Sequence, residues 1–308
     1  MKEQNAGSAS KKSDGMKVLI IGLAKSGTSI LMYRIAAGLR PCRKYFEPLG
    51  HEGQVDVDFH RKVVTRPKNA VVKIVYHAGL PERFDEIIPL YDRVVWIIRD
   101  PRDQMISSFF YVWYFRHRPN AEQFQRSLAL TRQKEADPDS VPFHTLHPSL
   151  TNTKRFHTLY RPVAHYLKAF RPQLHVVNYE SFIAGDTAAL DAYLGFETDI
   201  GVGVNPVVRR VSRTRASGNW REWFCEKDVT YYTPLLGPLL SEFGYDPDDW
   251  RLTPQSSLPA SHGSEYMRRL HDKTPWQEYL ESGQARVRHL SHEIVRYFSN
   301  LFTKGRLK

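Results

Sequence analysis

Short apolar runs alternate along this chain with longer segments in which apolar residues recur at helical spacing. Four runs are predicted to be buried strands: Lys17–Ile21, Val71–Tyr76, Val94–Ile98 and Leu174–Val177. Helical segments follow the first and third runs, and two more are predicted at Ala188–Tyr193 and Val229–Phe243. This alternation predicts an α/β fold with a mainly parallel central sheet flanked by helices. Ligand loops are then expected at the carboxyl ends of the strands.

The same pattern divides the chain into three parts. Residues 1–15 are polar and small and are predicted to be a disordered tail, whereas residues 16–250 form the main domain. In residues 251–308, Pro254–Gly263 is predicted to be a linker and Ala285–Thr303 a basic amphipathic C-terminal helix. Three partners are considered for that helix: its own domain, a second copy in a homodimer, or a membrane surface.

Charge and cysteine content indicate which classes of partner and of bound group to expect. The chain has 44 Lys and Arg against 33 Asp and Glu, a formal net charge of +11, which predicts an anionic partner. No nucleic-acid motif accompanies this charge, so nucleic acid is not expected. Cys42 and Cys225 form neither a disulfide framework nor a metal-binding spacing. Without a signal peptide or a membrane-spanning apolar run, we expect a cytoplasmic protein, with the C-terminal helix as a potential peripheral membrane contact.

The segment Val18–Ser29 reads VLIIGLAKSGTS, a strand that turns through glycine into a small hydroxylated loop and then a helix. Backbone N–H groups in such a turn form a cradle for a phosphate-like anion. The phosphate loop of nucleotide triphosphatases, G-x-x-x-x-G-K-[ST], is close, but Thr28 stands in its lysine position and the loop lysine is Lys25. The alternative is a glycine-containing turn without a ligand.

A second segment, Arg93–Tyr111, reads RVVWIIRDPRDQMISSFFY. It predicts a buried strand with Arg99 at its carboxyl end, followed by a helix that Asp100 can cap. Ser107 lies eight residues after Arg99, so a guanidinium and a hydroxyl can converge on one phosphate. The alternative is a capped surface helix without a ligand.

Together these segments resemble the sulfotransferase family that uses 3′-phosphoadenosine 5′-phosphosulfate (PAPS). The stretch KSGTS at 25–29 is similar to the family's K-S-G-T-T loop for the 5′-phosphosulfate, and Arg99 and Ser107 resemble its 3′-phosphate pair. YESF at 179–182, with Leu194-Gly195 downstream, is similar to Y-E-D-L and L-G. RTRASGNWREWF at 213–224 is similar to R-K-G-x-x-G-D-W-K-x-x-F, with departures at 214, 215 and 219.

The resemblance implies a P-loop-like, PAPS-dependent enzyme that releases 3′-phosphoadenosine 5′-phosphate (PAP) and needs no metal. In-line transfer builds charge on the leaving phosphate oxygen, which Lys25 is expected to meet. Ser107 is expected to hold Lys25 back until the 3′-phosphate is bound. The donor-binding residues that it implies are Lys25, Ser26, Gly27, Thr28, Ser29, Arg99, Ser107, Tyr179, Arg213, Arg215, Ala216, Ser217 and Gly218.

Two residues are candidates for the general base that the acceptor hydroxyl needs. Glu47 lies in KYFEP, similar to the F-E-P of carbohydrate sulfotransferases, where the glutamate is catalytic. His77 follows the strand VVKIVY and precedes Leu80-Pro81, similar to the K-T-H-L-P of cytosolic sulfotransferases, although Lys73 stands four residues before it rather than two. Structural roles for both are the alternatives, and Glu47 is the preferred base.

The acceptor is expected to be a carbohydrate or glycolipid hydroxyl, with phenolic small molecules as the alternative. Residues 112–155, aromatic and basic at first and then polar, are predicted to be either an insertion that covers the acceptor or a surface excursion. A P-loop small-molecule kinase or other phosphotransferase is the rival enzyme, with Asp100 as its magnesium ligand. A third interpretation is a non-catalytic adaptor with a degenerate nucleotide fold.

Overall fold

The structure of the protein is a computed structural model, which describes residues 15–46, 55–76, 83–114, 121–146, 153–203 and 216–272, together with Arg213. Within the helix that begins at Thr153, side chains are described from Tyr160 onward. The structural observations below concern these residues.

A five-stranded parallel sheet forms the centre of the molecule. Its strands are β1 (Lys17–Leu23), β2 (Cys42–Phe46), β3 (Asn69–Tyr76), β4 (Arg93–Ile98) and β5 (His175–Asn178). Their order across the sheet is β2-β3-β1-β4-β5, and every neighbouring pair is parallel. The predicted α/β class with a parallel sheet is therefore confirmed.

Helices cover the sheet. In chain order they are α1 (Thr28–Gly38), α2 (Val57–Val64), α3 (Phe84–Ile87), α4 (Pro101–Tyr111), α5 (Ala121–Ala136), α6 (Thr153–Phe170), α7 (Tyr179–Ile183), α8 (Ala188–Leu194), α9 (Trp220–Trp223), α10 (Glu226–Glu242) and α11 (Ser264–His271). Short 3₁₀ turns lie at Ile88–Leu90, Val112–Tyr114, Phe143–Thr145, Arg171–Gln173 and Ala260–His262. Within the described part of the chain, no helix is long and apolar enough to cross a bilayer.

The central strand β1 is buried on both of its faces. Leu19 and Ile21 belong to one apolar core, whereas Val18 and Ile20 belong to a second core on the α1 side of the sheet. Alternate residues of a strand point to opposite faces, so one uninterrupted apolar run serves both cores. Each such side chain contributes roughly 1.5–3 kcal/mol on burial, which makes β1 a rigid support for the loop that follows it.

The connections place the loop after β1 beside the loop after β4. The chain leaves β1 towards β2 and β3 on one side, then crosses to β4 on the other side of β1. Gly22 pairs with Ile97, so both strands end at the same edge of the sheet. Ligands of open α/β sheets bind in the crevice where the connections diverge in this way, outside the carboxyl ends of the strands.

One strand was not predicted, and two segments differ from their predictions. The charged strand β2 (CRKYF) lies at the edge of the sheet, where exposed Arg43 and Lys44 hide the strand pattern. In the segment predicted to be polar and irregular, α5 is a 16-residue helix that places Phe124 and Leu128 in the main core. The residues after Trp250 also pack on that core rather than forming a free linker, through Leu258 and the apolar side of α11.

Candidate functional site

The loop between β1 and α1 has the backbone of an anion cradle. Lys25 and Gly27 both adopt left-handed conformations, with φ values of 67° and 95°. The Ser26 amide and hydroxyl both donate to the Leu23 carbonyl, at 3.2 and 2.7 Å, which closes the turn. Because α1 begins directly afterwards, at Thr28, the N–H groups of its first turn lie at the end of the loop, and helix geometry leaves them without intrahelical partners.

Gly27 is required by its surroundings as well as by its conformation. A Cβ at this position would lie 2.4 Å from Cδ2 of the buried Tyr179 ring, which comes from the start of α7. Arg99 packs on the same ring, with its guanidinium carbon 4.4 Å from the ring centroid. The loop motif, Tyr179 and Arg99 are therefore packed as one unit, although they come from three separate parts of the chain.

Arg99 connects the loop to the third predicted motif. Its Nη1 donates to the Lys25 carbonyl at 3.1 Å, and its Nη2 donates to the Ala216 carbonyl at 3.2 Å. Its Nη2 also lies 3.8 Å from the Asp103 carboxylate. The third nitrogen of the guanidinium, Nε, is buried without a hydrogen-bond partner among the described residues. A buried cation with an unused donor is suited to an anionic ligand.

Asp103 fixes the segment that follows residue 213. It is fully buried, and its two oxygens accept from the backbone N–H groups of Gly218, at 2.6 Å, and Trp220, at 3.1 Å. Burial raises the pKa of this carboxyl, while Arg99 opposes the rise. The carboxylate thus anchors Ala216, Ser217 and Gly218 next to Arg99.

Positive charge accumulates around the loop. Burial, together with the positive charges of Arg99, Arg213 and Lys73, lowers the pKa of Lys25 to about 7. Burial also lowers the pKa of Arg213 to about 10, with Asp103 opposing the shift. Arg213 lies over the rings of Phe110 and Trp223, at 5.2 and 5.9 Å. Cations that depress one another's pKa are stabilised when an anion binds among them.

One side of α4 runs past this group of cations. Asp103, Ser107 and Tyr111 are spaced four residues apart and so share a helix face. Asp103 contacts Arg99, and the ring of Tyr111 lies 4.0 Å below the Lys25 ammonium. Ser107 lies between them on this face and is partly exposed. In the described part of the chain the Lys25 ammonium has no hydrogen bond to Ser107; its contact is with Tyr111.

Three residues of the site were missed by the sequence reasoning. Lys73, buried in β3, donates to the Ser29 hydroxyl at 3.2 Å. Gln104 donates to the Ala24 carbonyl at 2.6 Å and supports the loop from α4. Tyr111 was read only as part of the helix. A lysine inside the apolar run VVKIV was the one available signal, because a buried cation needs a partner.

The acidic residue proposed for magnesium in the rival interpretation is already engaged. Asp100 caps α4 by accepting from the Arg102 amide at 2.8 Å, and its carboxylate also receives Arg102 Nε and Nη2, at 3.0 and 2.7 Å. Its own amide donates to Glu180 at 3.0 Å, and Glu180 accepts from Tyr245 at 2.7 Å. Among the described residues there is no group of three or more metal-ligating side chains.

The structure therefore brings together most of the predicted donor-binding residues. Gathered at the carboxyl edge of β1 and β4 are Lys25, Ser26, Gly27, Thr28, Ser29, Arg99, Ser107, Tyr179, Arg213, Ala216, Ser217 and Gly218. Arg215 and both base candidates, Glu47 and His77, lie outside the described residues. β2 and β3 end immediately before these two candidates, at Phe46 and Tyr76.

No protein-family model matches this sequence, and no curated protein matches it. Among solved structures, a crystal structure of a mouse sulfotransferase complexed with PAP matches with a TM-score of 0.42 and 15% sequence identity. The match covers 75% of this chain and 88% of the other.

Proposed function

We propose that this chain is a PAPS-dependent sulfotransferase that transfers a sulfuryl group to a hydroxyl acceptor. The observation that carries the proposal is the position of Arg99. It joins the loop at Lys25 to the segment at Ala216, and it keeps one buried donor unused. A donor with a phosphosulfate at one end and a 3′-phosphate at the other needs positive charge at two points, and this arrangement supplies both.

The 5′ end of the donor fits the loop. The amides of Gly27, Thr28 and Ser29 would hold phosphate and sulfuryl oxygens, because they lie at the end of the loop and in the first turn of α1. The Ser26 amide instead closes the turn on the Leu23 carbonyl. The Ser29 hydroxyl accepts from Lys73, so its own proton is directed away from that lysine and is available to an anion. These contacts bind and orient the group that is transferred.

The 3′-phosphate fits the second cluster of charge. Arg99 would present Nε, Arg213 would add its guanidinium, and Ser107 would add a hydroxyl from α4. Tyr179 supports Arg99 from below, and Asp103 holds the segment of Gly218 in place. Ionised phosphate is favoured here because it replaces repulsion between these cations with attraction.

Lys25 is the proposed catalytic cation. When bound, PAPS supplies an activated sulfuryl group whose departure leaves negative charge on a phosphate oxygen. A preorganised ammonium that meets this charge lowers the barrier. Since Lys25 lies in the same loop that would hold the phosphate, its ammonium needs only a side-chain movement to reach that oxygen.

The contacts of Asp100 and Asp103 count against the kinase alternative. A magnesium-dependent phosphotransferase needs a carboxylate free to hold the metal or its water. Asp100 is paired with Arg102, and each oxygen of Asp103 accepts a backbone amide. Thr28 also stands where such enzymes place the phosphate-loop lysine.

The acceptor and its general base remain proposals from the sequence. We propose a carbohydrate or glycolipid hydroxyl as the acceptor, with a phenolic hydroxyl as the alternative, and Glu47 rather than His77 as the base. Cytoplasmic localisation, a homodimer and a peripheral membrane contact through residues 285–303 are proposals of the same kind; those residues lie outside the described part of the chain.

The test is sulfuryl transfer itself. The protein would be incubated with PAPS that carries a label in its sulfuryl group and with a panel of carbohydrate, glycolipid and phenolic acceptors. The labelled products would be identified by mass. Lys25→Ala should lower turnover by roughly 10²–10³, the loss that follows removal of one transition-state donor. Lys62→Ala, an exposed lysine on α2, is the matched control. Label transfer that is equal in Lys25→Ala and wild type would contradict the proposed role of Lys25.

A further inference from the structure

The side chain of Lys25 lies over an aromatic ring that neither the motif nor the resemblance assigns to the site. Its ammonium is 4.0 Å from the ring centroid of Tyr111, the last residue of α4. The backbone of Lys25 is fixed by its left-handed conformation and by the hydrogen bond from Arg99 to its carbonyl. The four-carbon side chain is therefore the part of Lys25 that can move.

The surroundings of Lys25 explain why its ammonium needs such a contact. The charged groups that face it are Arg99 from the end of β4, Arg213, and Lys73 from β3, and all three are positive. No carboxylate is paired with Lys25 within the described part of the chain. The face of a tyrosine ring carries partial negative charge and attracts a cation without adding a second anion to the site.

We propose that Tyr111 is a positioning residue that holds the charged Lys25 side chain against α4 while the loop contains no anion. The ring competes weakly with a full negative charge, so a phosphate group in the loop would draw the ammonium away from it. This inference rests on the proposed function for the identity of that anion. The contact between Lys25 and Tyr111 is independent of it.

The position of Ser107 supports this division of roles. The resemblance assigned to Ser107 the task of restraining Lys25, but Ser107 lies one helical turn before Tyr111 and does not hydrogen bond to the ammonium. In this proposal the Ser107 hydroxyl binds the 3′-phosphate, and the Tyr111 ring restrains the Lys25 side chain. Tyr114 stacks parallel to Tyr111, with 5.4 Å between ring centroids, and supports it from the following turn.

The experiment measures the protonation of Lys25 in the full-length protein without donor. Trace labelling with acetic anhydride between pH 6 and 10, followed by peptide mass analysis, reports the apparent pKa of this one amine. Tyr111→Leu should lower that pKa by about 0.5 to 1, because the charged form loses its ring contact. Tyr111→Phe keeps the ring face and should retain the wild-type pKa. Tyr231→Leu, which removes an exposed ring on α10, is the matched control and should leave the Lys25 pKa unchanged.

Two outcomes decide the inference. An unchanged Lys25 pKa in Tyr111→Leu, and in Tyr111→Met as a second non-aromatic variant, would overturn it. A fall in the Lys25 pKa that is equal in Tyr111→Phe and Tyr111→Leu would also overturn it, since the ring face would then not be what stabilises the ammonium. The addition of PAP distinguishes the proposed function from this inference. If PAP leaves wild-type Lys25 labelling unchanged while Tyr111→Leu still lowers its pKa, the donor assignment fails and the ring contact stands.

Discussion

The buried carboxylate of Asp103 accepts the backbone amide of Gly218 at 2.6 Å, across 115 residues of sequence. Asp103 belongs to the segment RDPRD after β4, whereas Gly218 belongs to the late segment RTRASGNW. The contact joins these two motifs into one wall of the site, although each motif alone is of only moderate specificity. Arg99 depends on this wall, because it contacts both Asp103 and the Ala216 carbonyl.

Asp103→Asn should therefore reduce stability and donor binding together. The amide can accept only one of the two backbone N–H groups and no longer balances Arg99. We expect the free energy of unfolding to fall by about 1–3 kcal/mol, the cost of an unsatisfied buried polar group. Urea denaturation measures this loss, and PAP titration measures the affinity. Asp85→Asn, at an exposed position on α3, should change neither quantity.

Arg99→Ala should selectively weaken recognition of the 3′-phosphate. Binding of PAP should lose about 1.5–3 kcal/mol, the range for charge-assisted hydrogen bonds. Binding of 5′-AMP, which lacks that phosphate, should change much less. Calorimetric titration of both nucleotides gives the difference directly, and Arg126→Ala on the exposed side of α5 is the matched control. An equal loss of affinity for the two nucleotides would mean that Arg99 contacts a part of the ligand other than the 3′-phosphate.

Donor binding should take up protons near neutral pH. Burial and neighbouring cations lower the pKa of Lys25 to about 7, so roughly half of this group is neutral at pH 7. A bound phosphate favours the charged form and raises the pKa, so Lys25 gains a proton on binding. PAP affinity should then fall as pH rises above 7, by up to about tenfold per pH unit. Titrations in buffers with different ionisation enthalpies measure the proton uptake.

That uptake should disappear in Lys25→Met and persist in Lys62→Met. An uptake that persists in Lys25→Met would assign the titration to another group. The useful range lies between pH 7.5 and 9, because phosphates with a second pKa of about 6 are then ionised.

The two candidate bases can be separated by substitution. Glu47→Gln keeps the shape of the side chain but removes the carboxylate, and His77→Asn removes the imidazole. A true base should contribute roughly 10²–10⁴ to the rate. We predict that loss for Glu47→Gln in the transfer assay, with far smaller change for His77→Asn. The reverse pattern would make His77 the base.

The fold was largely predictable because the apolar runs of β1, β3 and β4 are buried on both faces and so appear as continuous hydrophobic segments. β2 was not, because an edge strand tolerates exposed charge such as Arg43 and Lys44. The helical pattern of α5 was obscured by its polar residues, which include Lys134 and Glu135. These two side chains are buried because other segments supply their hydrogen-bond partners.

Within the site, local motifs predicted the loop and Arg99 because each motif lies within a few residues of sequence. The supporting contacts could not be predicted in the same way. Lys73 reaches Ser29 across 44 residues, and Gln104 reaches Ala24 across 80. Such pairs depend on strand order and helix placement, which a single sequence leaves open. The contact of Tyr111 with Lys25 belongs to the same class.

The most direct test of the proposed donor is a calorimetric titration of the wild-type protein with PAP, 5′-AMP and ATP–magnesium under one set of conditions. If Arg99, Arg213 and Ser107 form a 3′-phosphate site, PAP should bind about 10- to 150-fold more tightly than 5′-AMP, the factor expected for one or two charge-assisted hydrogen bonds. ATP–magnesium should bind more weakly than PAP, because Asp100 is paired with Arg102 and Asp103 is engaged by backbone amides. Equal affinity for PAP and 5′-AMP, or tighter binding of ATP–magnesium, would contradict the account.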